Sequence, residues 1–289
     1  MKELVAPSST IPYSQRHKNV VNSKSNTING VINATKVNLI NLETQILIRY
    51  ELFEQAVAQK SLFNFSEEPA FIIYRDDLLS CYAGRTAKVK EIFSLIQDSQ
   101  PPRFLKRCPY CGVTLPKTFD HYLPESKFPE LSVHALNLIP CCGTCNQTKN
   151  NNWKNSIHRT FLYFYSDPIP KSQYLSVSLH GLAGVNAVGA KFSINRPAAV
   201  QNDTWDVLAA HYDKLDLISI YNELANDEIS EVFNACVSHL RCGGVDIDRS
   251  IGQLLSTEEL LYGLNHWRVV LMKALSTSND FSLAINAVV

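Results

Sequence analysis

The most constraining feature of this sequence is a pair of C-x2-C motifs, Cys108-Pro-Tyr-Cys111 and Cys142-Gly-Thr-Cys145. Each motif offers two sulfur ligands on one tight turn, and a tetrahedral zinc site needs four such ligands. The chain between residues 111 and 142 must therefore form a loop that closes on itself. We predict a structural Zn²⁺ bound by these four cysteines, and four buried free cysteines are the alternative.

Cys141 adds one sulfur more than such a site needs. We interpret it as a buried neighbour of the site, and a shift of register that exchanges Cys141 with Cys142 stays open. The first twenty residues contain no apolar segment typical of a secretory leader, and no run approaches the ~18 apolar residues of a membrane span. We therefore expect a soluble, cytoplasmic protein, in which cysteines are more often reduced or metal-bound than paired in disulfides.

The charge distribution is uneven although the formal net charge of the chain is zero. Residues 101–160 carry eight lysines or arginines against three acidic residues. A local basic excess in a neutral protein indicates a polyanionic partner, and a solvated basic loop explains it equally well. The composition, with 45% apolar and 19% charged residues, is typical of a globular protein.

The hydrophobic pattern predicts an α+β protein with a mainly helical body. Residues 1–25 have little pattern, and we expect a loose arm there. Apolar residues recur three and four apart in several segments, whereas two later segments alternate and predict a β-hairpin closed by a glycine-containing turn. The predicted helices cover 26–63, 87–98, 205–240 and 256–275, and the predicted strands cover 174–179 and 190–195.

These elements predict three parts. They are a helical N-terminal region over 1–100, a zinc-stabilised module over 101–160, and a C-terminal hairpin with a helical region over 161–289. The Pro-Pro pair after the helix at 87–98 marks the first boundary, because proline cannot continue a helix.

Polar residues with catalytic potential lie within and just after the loop between the two motifs. Asp120 and His121 are adjacent, Asn137 precedes the second motif, and Asn146 follows its last cysteine. The pattern "C-x2-C … DHYLP … LNLIPCC-x2-CNQTKNN" resembles the ββα-metal core of HNH endonucleases of the type held by a four-cysteine zinc site. The resemblance covers about fifty residues, from Arg107 to Trp153.

The resemblance implies a role for each of these four residues. His121 matches the general base that deprotonates the attacking water, and Asp120 matches the metal ligand before it. Asn146 matches the final metal ligand, and Asn137 matches the residue that fixes the loop so that the histidine stays aimed. The implied cofactor is one Mg²⁺ or Mn²⁺ ion, which suits oxygen ligands.

Some expectations follow from the residues alone. Asp120 and His121 point to opposite faces if the strand is regular, so we predict that the strand ends or distorts there. We interpret His134 as a loop-surface residue, and a place in the lining of a DNA groove is the alternative. Basic side chains near the motif are candidate phosphate contacts, or else solvated surface residues; they are Lys149, Lys127, Lys117 and Arg107.

Together these features predict a metal-dependent HNH endonuclease that cuts DNA, with RNA as an open second substrate. The layout is similar to HNH effector subunits of bacterial anti-phage systems, of Septu type or associated with retrons, which pair with an ATPase. The alternative is a zinc-stabilised nucleic-acid-binding or scaffold subunit with an inactive HNH core.

Overall fold

The computed structural model describes residues 1–181 and 187–289, without the side chains of residues 249, 250, 253 and 254. The described residues form two compact units: Glu3–Pro168, and Ile169–Val289 together with Met1–Lys2. The predicted segment 101–160 lies inside the first unit together with nearly all of 1–100. The division of residues 1–160 into two separate domains stays a prediction.

The first unit contains six α-helices and two small two-stranded sheets. Its helices are α1 (Tyr13–Asn22), α2 (Ala34–Asn41), α3 (Glu43–Ala58), α4 (Arg75–Ala83), α5 (Ala87–Asp98) and α6 (Gly143–Lys149). Its strands are β1 (Thr27–Ile28), β2 (Val31–Ile32), β3 (Thr118–His121) and β4 (Leu138–Cys141).

Helix α5 confirms the helix predicted over 87–98. The Thr86 hydroxyl accepts a hydrogen bond from the Val89 amide at 3.4 Å and caps the first turn. Val89, Ile92 and Ile96 are buried, and their spacing gives the helix one apolar face. The Pro-Pro pair follows two residues after the helix ends, as predicted from the sequence.

The N-terminal region differs from the prediction in two ways. Residues 1–25 contain the folded helix α1, whose Val20 and Val21 are almost fully buried, rather than a loose arm. The single helix predicted over 26–63 begins instead with the β1–β2 hairpin. Asn29 and Gly30 have φ of 51° and 80°, and two such residues form the turn that suits a tight hairpin.

The remainder of that segment is two helices rather than one. Asn33 caps α2 by accepting a hydrogen bond from the Lys36 amide at 3.3 Å, which sets where the helix begins. Leu42 ends α2 and precedes α3, which ends at Ala58. The apolar periodicity therefore predicted the helical content correctly but missed the Asn-Gly turn and the break.

The sheet of the cysteine-rich segment is an antiparallel pair in which Asp120 pairs with Ile139 and His121 with Leu138. Helix α6 follows β4 directly, with Cys142 as its N-cap residue. Strand β3 ends at His121. The first motif lies in a turn before β3, and the second lies where β4 passes into α6.

The second unit contains the predicted hairpin and a set of helices. Its strands are β5 (Leu175–Gly181) and β6 (Val188–Ile194), and its helices are α7 (Asn202–Lys214), α8 (Leu217–Arg241), α9 (Ile247–Tyr262), α10 (Trp267–Ser276) and α11 (Asn279–Asn286). The hairpin is confirmed, while most of its predicted turn, residues 182–186, lies outside the described residues. Each long predicted helix is divided in two, at Asp216 and at Gly263, which have positive φ.

The mainly helical α+β class is confirmed: 53% of the structure is helical, and the sheets are small and antiparallel. Across the described ranges, we find no α-helix with both the length and the apolar composition needed to cross a bilayer.

Candidate metal centre and adjoining cleft

The two C-x2-C motifs meet in one buried cluster. The sulfur atoms of Cys108, Cys111, Cys142 and Cys145 all lie within 4.8 Å of one another. Those of Cys111 and Cys142 are 4.0 Å apart, close to the separation of about 3.8 Å expected for a tetrahedron with Zn–S bonds of about 2.3 Å. The cluster can therefore bind a metal such as zinc.

Local backbone geometry prepares this cluster for a metal. Gly112, at φ 71°, closes the first turn by donating to the Cys108 carbonyl at 2.7 Å. The Cys142 amide donates to the Cys108 sulfur at 3.3 Å, and the Cys145 amide donates to the Cys142 sulfur at 3.4 Å. Hydrogen bonds among the four thiols lower the pKa of Cys111 and of Cys142 and raise the pKa of Cys108 and of Cys145. The thiolate is the form that binds metal.

Cys141 lies outside this cluster, which settles the question of register. It is the last residue of β4, opposite Thr118, whose hydroxyl lies 3.4 Å from the Cys141 sulfur. Burial raises the pKa of this thiol to about 12. Because neighbouring residues of an extended chain point to opposite sides, Cys142 faces the cluster and Cys141 faces away from it.

An open cleft of about 510 Å³ adjoins the module. Asp120 and His121 both line it, together with Asn146 from α6. Its lining is polar for the most part and consists of Thr118, Asp120, His121, Pro124, Glu125, Gly143, Asn146, Gln147, Asn150 and Asn151. The structure therefore brings three of the four predicted catalytic residues to one cavity, at the point where β3 ends.

His121 is held in one tautomer by its surroundings. Its Nε2 lies 2.8 Å from the Ser132 carbonyl oxygen, and because a carbonyl only accepts, Nε2 carries the proton and Nδ1 keeps the lone pair. Nδ1 lies 3.4 Å from a carboxylate oxygen of Glu125. Burial lowers the pKa of His121, partly opposed by Glu125. The imidazole is therefore neutral at pH 7, with Nδ1 as its basic atom.

Asp120 is buried and accepts hydrogen bonds on both carboxylate oxygens. Tyr110, in the first C-x2-C motif, donates from its hydroxyl at 2.7 Å. The Lys149 ammonium donates to Asp120 at 3.1 Å and to the His121 carbonyl at 2.9 Å. The carboxylate is thus fixed from two sides, by the turn of the first C-x2-C motif and by the last residue of α6.

Asn137 lies in the interior beside the cleft rather than in its lining. Its Oδ1 accepts from the Leu123 amide at 2.8 Å, and its Nδ2 donates to the Leu123 carbonyl at 3.0 Å. The Tyr122 amide donates to the Asn137 carbonyl at 2.8 Å. These bonds fix the chain immediately after His121, and the role that the resemblance implies for Asn137 stays a prediction.

Asn146 reaches the cleft from α6. Its Nδ2 donates to the Thr118 hydroxyl at 3.4 Å and to the Phe119 carbonyl at 3.5 Å. These bonds orient the amide, so that its Oδ1 is the atom suited to bind a cation.

The four predicted phosphate contacts are not gathered at this cleft. Lys149 is fully buried on Asp120, so a contact with phosphate does not fit its position. Lys127 forms an ion pair with Glu67 at 3.2 Å. Lys117 and Arg107 are exposed, and neither lines the cleft.

Sequence reasoning was wrong on His134 and missed two residues. His134 is fully buried, not on a loop surface, and its Nε2 lies 3.3 Å from Glu54. Tyr110 and Glu125, which contact Asp120 and His121, were not predicted. Glu125 follows His121 by four residues, but this spacing indicates proximity only on a helix, and here the chain turns.

Comparison with known proteins finds a relative encoded by a bacteriophage. No family model matches the chain, and no solved structure matches it. The chain is similar to Protein ea31 of Escherichia phage lambda, at 25% identity over 191 residues, which cover 61% of this chain and 63% of that protein. The chain thus spans less than two thirds of the length of this relative.

Proposed function

We propose that this protein is a metal-dependent HNH endonuclease that hydrolyses phosphodiester bonds of DNA and serves as an anti-phage defence effector. The observation that carries the proposal is the position of His121 Nδ1. His121, which carries this nitrogen, lines an open cleft together with Asp120 and Asn146, beside a four-cysteine cluster. A base and two oxygen ligands at one cavity are the groups that hydrolysis of a phosphodiester requires.

His121 acts as the general base in this proposal. Its Nδ1 takes the proton of a water molecule in the cleft, and the resulting hydroxide forms a bond to phosphorus. The bond between phosphorus and the leaving 3′-oxygen breaks, and that oxygen takes up a proton from solvent. The Ser132 carbonyl, 2.8 Å from Nε2, holds the ring orientation and stabilises the positive charge that develops on it. A neutral imidazole at pH 7 has the protonation state that this step needs.

Asp120 and Asn146 are the residues that would hold a divalent cation. Asp120 accepts one hydrogen bond from Tyr110 and one from Lys149, whereas a carboxylate has about four lone-pair sites. The donor set of carboxylate and amide oxygens fits Mg²⁺ or Mn²⁺. When bound there, such a cation supplies Lewis-acid stabilisation of charge on the phosphoryl group and the leaving oxygen.

One observation favours the alternative, a zinc-stabilised nucleic-acid-binding or scaffold subunit with an inactive core. The Lys149 ammonium neutralises the Asp120 carboxylate within the module. An ammonium in contact with a carboxylate lowers the affinity of that carboxylate for a second cation. Cleavage assays and cation titrations separate the two functions.

The experiment is nicking and linearisation of supercoiled plasmid by the purified protein, with and without Mg²⁺ or Mn²⁺. The His121→Ala variant removes the base, and His180→Ala, an exposed histidine of the second unit, is the matched control. Zinc content is measured for each protein to show that the module is intact. Cleavage that needs a divalent ion, survives His180→Ala and is lost in His121→Ala supports the proposal.

Two further assays test which nucleic acid is the substrate and whether a partner protein is needed. The same proteins are assayed on RNA, because phosphodiester chemistry alone does not favour DNA. The chain is also expressed with the ATPase of its own operon, if one is encoded there, because the family resemblance implies such a partner. A zinc-loaded protein that stays inert in every assay contradicts the enzyme and supports the binding subunit.

A further inference from the structure

Three aromatic rings and one arginine lie together beside His121. Tyr82, near the end of α4, packs against the His121 imidazole with ring centres 4.5 Å apart. Phe93 of α5 forms an edge-to-face pair with Tyr82 at 5.7 Å and stacks on Phe119 of β3 at 4.4 Å. The Arg85 guanidinium lies 5.5 Å from the Tyr82 ring centre and 5.7 Å from that of Phe93. We call Tyr82, Phe93, Phe119 and Arg85 the aromatic platform.

The aromatic platform reaches the surface of the first unit. Arg85 is exposed and the three rings are half-buried, unlike Tyr110 and Tyr122 of the same unit, which are fully buried. Tyr82 meets its two ring neighbours at interplanar angles of 73° and 68°. No ring of the described residues lies parallel to Tyr82, so offset parallel stacking, a contact that flat π systems favour, is left for a ligand.

Arg85 lies at a position where glycine is favoured. It directly follows Gly84, the C-cap residue of α4, and has φ 41°, the left-handed conformation in which helices often end. Within the described part of the chain, no ion pair includes Arg85. A guanidinium stacks on rings through its plane and binds phosphate oxygens through its donors. Arg85 can therefore contact both parts of a nucleotide.

The aromatic platform is joined directly to the proposed site. The Phe119 carbonyl accepts hydrogen bonds from the Tyr82 hydroxyl and from the Asn146 amide, each at 3.5 Å. Phe119 immediately precedes Asp120 in β3, and Tyr82 contacts His121. Because one sugar joins a base to its phosphate, a nucleotide whose phosphate lies at His121 has its base within reach of Tyr82.

We propose that the aromatic platform binds an unpaired nucleobase next to the scissile phosphate, with the base stacked on Tyr82 and a flanking phosphate bound by Arg85. The choice of ligand rests on the proposed function, whereas the binding itself requires no cleavage. Aromatic rings and guanidinium planes are the groups on which unpaired bases stack, and every base has a π face. A base inside a duplex is already stacked on its neighbours. The ligand of the aromatic platform is therefore single-stranded or locally unpaired nucleic acid.

The test compares strands that carry the same phosphates but differ in their bases. Wild-type protein is titrated, without added divalent ions, into a fluorescein-labelled single strand of thymidines and into a strand of equal length with abasic central positions. A single strand of uridines is titrated in the same way, so that DNA and RNA are distinguished. Anisotropy is recorded at several salt concentrations, and a denaturing gel checks that each strand stays intact.

The variants separate the ring from the charge. Tyr82→Leu removes the ring, Tyr82→Phe keeps the ring and loses its hydroxyl, and Arg85→Gln removes the charge at an exposed position. The control variants Tyr74→Leu and Arg75→Gln make the same changes at a half-buried tyrosine and an exposed arginine at the other end of α4. Zinc content and thermal unfolding of each variant show whether the first unit is intact.

We expect wild type to bind the thymidine strand about tenfold more tightly than the abasic strand, because the stacked base adds to the phosphate contacts. Tyr82→Leu should reduce this preference to about twofold or less, whereas Tyr82→Phe and both controls keep it. Arg85→Gln should weaken binding of both strands and reduce the salt slope by about 0.7, as expected for one phosphate contact on a single strand.

The inference is overturned if wild type binds the thymidine and abasic strands equally, or if Tyr82→Leu keeps the preference. A loss in Tyr82→Phe or in Tyr74→Leu as large as that in Tyr82→Leu also contradicts it, because the Tyr82 ring is then not the binding group. If Tyr82→Leu does not fold, Arg85→Gln decides, and an unchanged salt slope in that variant contradicts the inference.

Plasmid cleavage by the wild-type chain is scored separately. Cleavage by a protein that shows no preference for the thymidine strand contradicts this inference and leaves the proposed function intact. A preference that depends on the Tyr82 ring, in a protein that does not cleave, supports the inference and contradicts the nuclease.

Discussion

Lys149 and Asp120 form an ion pair inside the module, with the ammonium nitrogen 3.1 Å from the carboxylate and side-chain exposures of 0% and 3%. The pair links the end of α6 to the end of β3, and the same ammonium donates to the His121 carbonyl. Lys149 thus stabilises the strand end at which Asp120 and His121 meet, a structural role rather than a contact with substrate.

Replacing Lys149 by methionine keeps most of its volume but leaves the Asp120 charge without its cationic partner. Removal of one partner of a buried ion pair costs about 3–5 kcal/mol. We expect a loss of this size in the free energy of unfolding, measured by urea denaturation of the zinc-loaded protein. The control variant Lys117→Met, at an exposed position, should change the free energy of unfolding by about 0.5 kcal/mol or less. Equal stability of the two variants would contradict the role assigned to Lys149.

Adjacent cysteines give a sharp test of the metal centre. Cys142→Ser removes one sulfur of the cluster, whereas Cys141→Ser changes a buried thiol outside it. We expect wild type and Cys141→Ser to retain one zinc per chain after dialysis, and Cys142→Ser to lose most of it, because three thiolates bind zinc more weakly than four. Elemental analysis measures the zinc content. Similar zinc loss in both variants would refute the register found here.

Asn137→Ala should destabilise the loop after His121. The substitution removes the hydrogen bonds to the Leu123 amide and carbonyl and leaves these buried backbone groups unpaired. We expect the free energy of unfolding to fall by about 2–3 kcal/mol in total. Hydrogen exchange of the Leu123 amide, followed by NMR, should accelerate strongly, and cleavage should fall with it if the proposed function holds. An unchanged exchange rate at Leu123 would contradict this account.

Acidification should destabilise the first unit through His17. Burial lowers the pKa of His17 to about 4 in the folded protein, whereas the pKa of a histidine in the unfolded chain is about 6.5. Between these two pH values the unfolded chain therefore binds a proton at His17 that the folded chain does not. Stability is therefore lost as the pH falls from about 6.5 towards 4, by about 3 kcal/mol at most. Burial lowers the pKa of His134 as well, which adds in the same direction.

The measurement is the free energy of unfolding at a series of pH values for wild type, His17→Gln and the exposed control His180→Gln. The His17 variant should lose the part of that dependence that His17 contributes and keep the part from the other buried histidines, while the control keeps all of it. A wild-type profile that is flat between pH 6.5 and pH 4 would show that His17 titrates normally.

Short-range pattern was enough to predict several features of this protein. The C-x2-C spacing puts two sulfurs on each tight turn, so the four-cysteine cluster follows from the sequence once the chain is compact. The periodicity of residues 87–98 and the alternation around 174–179 predicted α5 and β5. The order of Asp120, His121, Asn137 and Asn146 around the motifs carried the family resemblance, and with it the proposed chemistry.

Only the tertiary structure decided what surrounds these residues. Lys149 and His134 look like surface residues in the sequence, yet both are fully buried, because α6 packs on β3 and because α3 supplies Glu54 beside His134. Tyr110 and Glu125 reach Asp120 and His121 across turns whose course no periodicity describes. Sequence spacing determines which side of its own element a residue occupies, but burial and partners depend on the elements that pack against that side.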